Sequence, residues 1–174
     1  GSVAMMAAKE YPEKIEKLVL IEPNPFYLLK NHSDPGSYQE VLNIRDIIKA
    51  NAFKETWGQA AEQFADYWNG SGAWKKMDEL RQEKFAEALK PNFHEFDCVI
   101  NETTTLEEWR DVLLLNTHIL FSEQTVNSIR KIVTIFEETM PNWIFHSYGE
   151  GTHMAPLTHP NTVNPIIHKI LTEA

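Results

Sequence analysis

Residues 147–171 read SYGEGTHMAPLTHPNTVNPIIHKIL, and the placing of this stretch decides the fold. The run just before it, NWIFHSY (142–148), is short, apolar and aromatic, and reads as a strand. Gly149 and Gly151 break it, and His153 follows in a loop punctuated by Pro156 and Pro160. A helix is expected over 161–172. Strand, glycine-rich loop, histidine, helix is a sequence that leaves an imidazole at the carboxyl end of a strand. Ligands of open α/β sheets bind there.

The same alternation extends upstream. TVNSIRKIVTIFEETMP (125–141) carries Val126, Ile129, Val133 and Phe136 on one helical face, with Thr125 as its expected N-cap and Pro141 beyond its end. DVLLLNTHILF (111–121) reads as a strand. Near the amino terminus, a helix over 3–10 stops before Pro12, because the residue preceding a proline is pushed out of the helical region. The apolar run 18–21 then reads as a strand covered on both faces, closed by Glu22 and Pro23. Strands separated by helices imply crossovers and a parallel sheet. Three strands make a thin sheet with an open edge.

Residues 24–110 break the alternation. Val41, Ile44, Ile47 and Ile48 share a helical face, as do Trp57, Ala61, Phe64 and Trp68. NGSGAW (69–74) interrupts, and a third helix runs through Leu80, Phe85 and Leu89. The expected fold class is therefore α/β: a core from residues 1–23 and 111–174, parallel strands with flanking helices, and an all-helical insertion over 24–110.

Composition narrows the function classes. A formal charge of −9 disfavours nucleic acid and anionic membrane surfaces as partners, since both reward Lys and Arg. Cys98 is the single cysteine, which leaves no intrachain disulfide or cysteine zinc cluster and suits a reducing cytoplasm. No His or carboxylate spacing suggests a metal, and no cofactor is implied. The chain opens GSVAMMAAKE, without an initiator Met and as if inside a helix, which reads either as a fragment of a longer protein or as a chain headed by an added Gly-Ser pair.

This order of elements resembles the C-terminal half of an α/β-hydrolase, specifically that of uncharacterised bacterial members bearing a cap. GSVAMMAAKEYPEKIEKLVLIEP is similar to the helix after the nucleophile elbow and the strand that follows. FADYWNGSGAW (64–74) is similar to a cap segment, and GEGTHMAPLTHPNTVN to the loop that carries the catalytic histidine. The resemblance implies a Ser-His-acid hydrolase of ester-type small molecules, with His153 as base and the serine upstream of Gly1. The chain alone is then expected to show little activity.

The acid is less settled. Where the family pattern has Asp after the strand ending at Phe121, this chain has Thr125. Glu123 lies in that loop. Glu22 ends the earlier strand, where some relatives, haloalkane dehalogenases among them, carry their acid. A carboxylate between Ile21 and Pro23 at the tip of a buried strand is costly without a partner, which favours Glu22 slightly; Asp97 and Glu102 are more distant options. Phe26, Tyr27, Tyr67, Trp68 and Met154 are candidate substrate contacts, although the helical aromatics equally fit a cap core. His159 reads as structural. Two other functions stay open: an Asp-nucleophile enzyme of the dehalogenase or epoxide-hydrolase type, and a degenerate homologue that only binds a ligand.

Overall fold

The computed structural model describes residues 1–113 and 116–172. The elements in chain order are α1 (Ser2–Glu10), β1 (Leu18–Ile21), α2 (Pro35–Phe53), α3 (Trp57–Asn69), α4 (Glu79–Leu89), α5 (Asn92–Asn101), α6 (Leu106–Val112), β2 (Thr117–Ser122), α7 (Asn127–Thr139), β3 (Ile144–Tyr148), α8 (Ala155–Thr158) and α9 (Pro160–Thr172). They fall into two compact units: Gly1–Pro25 with Thr103–Ala174, and Phe26–Glu102.

The first unit is built on a parallel sheet in the order β1-β2-β3. β2 is the middle strand and is buried on both faces, as its apolar run requires. The register pairs Ile21 with Leu120 and Ser122 with Tyr148. Each parallel connection needs a long crossover. That from β2 to β3 is α7, whose Ile129, Ile132, Val133 and Phe136 recur at helical spacing and are buried. On α9, Val163, Ile166, Ile167 and Ile170 repeat the same spacing and pack with Leu120 and Tyr148.

The strand expected over 111–121 is shorter than its apolar pattern suggested. Asp111 and Val112 end α6, the strand begins at Thr117, and Leu114 and Leu115 lie outside the described residues. The reason is a capping box. Thr105 Oγ1 accepts from Glu108 N–H, and the Glu108 carboxylate accepts from Thr105 N–H, so a helix starts there and buries Trp109. Thr125 does not cap α7. Val126 occupies that position, without a side-chain hydrogen bond.

Every secondary-structure element described in the second unit is a helix. It includes α5, which the sequence pattern did not resolve. Phe96 and Ile100 are its buried positions. Their spacing is helical, but Pro91 so close upstream suggested an end to the preceding helix and masked a new start.

Candidate functional site

The carboxyl ends of the three strands bring together a group of polar residues, two of them, Glu22 and Ser122, buried. Glu22 follows β1 directly and is 2% exposed. Its N–H donates to Leu120 O (2.9 Å), so the ladder runs one residue past the strand. Its backbone then turns into the left-handed region at φ 43°. That conformation is unfavourable for a residue with a Cβ, and more so before Pro23; strain of this kind costs about 1–3 kcal/mol and clusters at functional sites. The turn carries the carboxylate over the end of β2, where Oε1 accepts from Ser122 N–H at 2.9 Å. Oε2 lies 2.6 Å from His153 Nδ1.

His153 reaches this carboxylate because its loop is held in two ways. Gly151 adopts φ +83°, and a Cβ there would sit 2.7 Å from His159 Nδ1 and 2.8 Å from Ala155 Cβ. Only glycine fits both the dihedral and the space. Gly151 O in turn accepts from Ser122 Oγ at 2.5 Å. The imidazole is partly exposed whereas the Glu22 side chain is 1% exposed, so the carboxylate is shielded from water and the ring is not. Since a carboxylate only accepts, Nδ1 carries the hydrogen. A neutral imidazole so held keeps its lone pair on Nε2.

Glu123 is placed otherwise. It is exposed, and its Oε1 accepts from Ser147 Oγ at 3.0 Å. The geometry thus brings Glu22, and not Glu123, to the imidazole. Thr125 Oγ1 is buried without a hydrogen-bond partner. Tyr148, opposite Ser122, is buried too, and its phenol is pushed well above the ordinary tyrosine value, first by burial and then by the Glu22 charge. It therefore stays protonated. Asp97 pairs with Lys49 at 2.7 Å in the helical unit.

Of the candidate substrate contacts, Phe26, Tyr27, Tyr67 and Trp68 belong to the helical unit. Phe26 is buried and stacks on Trp68 and Phe96, with centroids 6.5 and 6.2 Å apart. Tyr67 donates its hydroxyl to Glu40 at 2.7 Å, and Tyr27 is half-buried. Met154 shares the unit of His153 and precedes α8 directly. Among the described residues, no group of three or more His, Cys, Asp or Glu side chains could hold a metal ion. No helix among them is long and apolar enough to cross a membrane.

Ser122 was not singled out in the sequence, yet it touches both the acid and the histidine loop. Its signal was weak: a small polar residue ending an apolar run, visible as special only once β1 and β2 are in register.

A buried carboxylate bonded to a histidine thus lies at the carboxyl ends of the parallel strands of the first unit. Among solved structures, the chain is similar to a hydrolase from Oleispira antarctica, with a TM-score of 0.63 and 14% identity over 98% of this chain. The chain spans 62% of the length of that hydrolase. At this identity the likeness concerns the fold alone. No protein-family model matches the chain, and no curated protein matches it.

An imidazole pair lies lower on the same sheet. His118 Nδ1 and His146 Nε2 are 3.0 Å apart, and His118 Nε2 is 3.0 Å from Asn116 Oδ1. With Asn116 accepting, His118 is protonated on Nε2, and its Nδ1 accepts from His146. Burial holds both rings below the ordinary histidine value. The charges of His146 and Lys17 add to this at His118, and that of Lys169 at His146. A lowered folded value means that the unfolded chain binds more protons below about pH 6.5, so stability is complete above that pH and falls as pH drops towards the folded values. The urea midpoint is expected to decrease between pH 7.5 and pH 5.5, and His146→Asn is expected to flatten that dependence. An equal slope in the variant would remove the pair from the explanation.

Proposed function

We propose that this chain supplies the acid and the base of a serine hydrolase acting on ester-type small molecules. The observation that carries the reading is the 2.6 Å bond from His153 Nδ1 to the buried Glu22 carboxylate. Glu22 fixes the tautomer and stabilises the imidazolium. His153 Nε2 takes the proton as a serine Oγ bonds to the ester carbonyl carbon. The oxyanion collapses, the carbon–oxygen bond to the leaving alcohol breaks, and the imidazolium returns the proton to that alcohol. Water, deprotonated by the same imidazole, then releases the acid and the free serine.

We assign the nucleophile to the turn leading into α1, in sequence preceding Gly1. Two contacts support this: a Cβ at Gly1 would lie 2.4 Å from Pro23 Cα, and Ser2 Oγ donates to Asn24 Oδ1 at 2.9 Å, so Gly1 and Ser2 lie against the loop that leaves Glu22. Met154, beside His153 in the chain, is the substrate contact we retain in this unit. A reducing, cytoplasmic setting is consistent with the lone Cys98.

The position of the acid also favours a second reading, an Asp nucleophile opening a halide- or epoxide-bearing substrate. One experiment separates the two. The intact protein is expected to be labelled by a fluorophosphonate probe, and His153→Ala to abolish labelling. Absence of labelling with dehalogenase or epoxide-opening activity would support the Asp nucleophile. Absence of both activities and of labelling would leave a ligand-binding homologue.

A further inference from the structure

The strand-end serine, Ser122, is the residue through which acid and base are joined. It is fully buried and uses its two polar groups on two different chain segments. Its N–H holds Glu22 Oε1 (2.9 Å), across 100 residues of sequence. Its hydroxyl donates to Gly151 O (2.5 Å), two residues before His153. The hydroxyl oxygen also accepts from Gln124 N–H at 2.9 Å, so the same hydroxyl is bonded to both the strand-end turn and the histidine loop. A buried core position at the end of an apolar strand has no need of this polarity, and an alanine there would leave Gly151 O without this donor. We infer that Ser122 is a positioning residue that sets the Glu22–His153 geometry by fixing the carboxylate and the histidine loop from one point. It gains catalytic meaning only under the hydrolase reading above, but the geometric claim stands without it.

The test follows the imidazole rather than activity. In the proton NMR spectrum the His153 Nδ1–H, bonded to a buried carboxylate, is expected as a far-downfield, slowly exchanging resonance that Glu22→Gln removes. Ser122→Ala keeps the backbone donor and loses the hydroxyl. Its Nδ1–H exchange is expected to accelerate about tenfold, the opening equivalent of one buried hydrogen bond. Ser122→Thr, which keeps the hydroxyl, is expected to restore slow exchange. Ser37→Ala is the control, because Ser37 is equally buried and donates to Asp34 O at 3.0 Å in the other unit. It is expected to lower stability without moving the His153 resonance. Wild-type exchange in Ser122→Ala, or the same change in Ser37→Ala, would overturn the inference. Should Ser122→Ala fail to fold, Ser122→Cys retains a weak donor: intermediate exchange supports the role and wild-type exchange rejects it. Failure of fluorophosphonate labelling would leave this result untouched, so the two ideas fail separately.

Discussion

Glu22→Gln is expected to lower ester kcat/KM of the intact protein by about 10³–10⁴-fold while changing stability little. The size of the effect follows from Ser122. Its N–H needs an acceptor at the position of Oε1, 2.9 Å away. The glutamine must therefore aim its carbonyl oxygen at Ser122 and its amide nitrogen at His153. An amide nitrogen can only donate, so Nδ1 of the imidazole must accept and the ring hydrogen moves to Nε2. A base with its proton already on Nε2 cannot take one from a nucleophile. Nitrogen chemical shifts of the ring would report the tautomer directly. Activity within a few-fold of wild type would remove Glu22 from the proposed role, and Glu123→Gln would then be the variant to compare.

Gly151→Ala is expected to destabilise the protein by about 3 kcal/mol, from the strained dihedral and the overpacking together. The backbone sits at φ +83°, and the new methyl would meet His159 Nδ1 at 2.7 Å and Ala155 Cβ at 2.8 Å. His159 can rotate away, since it is exposed, but Ala155 is buried at the start of α8 and cannot. The loop would have to shift, and with it the Gly151 carbonyl bonded to Ser122 and the imidazole two residues on. Urea unfolding of the single variant and of Gly151→Ala/His159→Ala separates the two contacts, the double variant recovering only the histidine part. A loss below about 0.5 kcal/mol in the single variant would show that the loop has room the structure does not give it.

Much of the fold was legible because it rests on local periodicity. β1 reads as a strand from four consecutive apolar residues, and α7 from Ile129, Val133 and Phe136. The histidine loop reads from its glycines and prolines. Elements whose signals overlap were lost. The start of α6 hid in a capping box just ahead of an apolar run, and α5 hid behind Pro91. Thr125 has the chemistry of an N-cap, yet the helix begins two residues later.

The sequence by itself determined that parallel strands alternate with helices around a helical insertion, and that a histidine leaves the last strand in a glycine-rich loop. Both are properties of short windows, governed by backbone sterics and side-chain periodicity. Only the tertiary structure decided which glutamate meets that histidine. Glu22 and His153 are 131 residues apart. Their meeting depends on Ile21 pairing with Leu120, which sets Glu22 beside the Ser122 N–H, and on the Ser122 hydroxyl drawing in the Gly151 carbonyl. Spacing along a chain carries no record of strand register, because register is set by the packing of whole faces and a slip of one residue would turn every side chain to the opposite side.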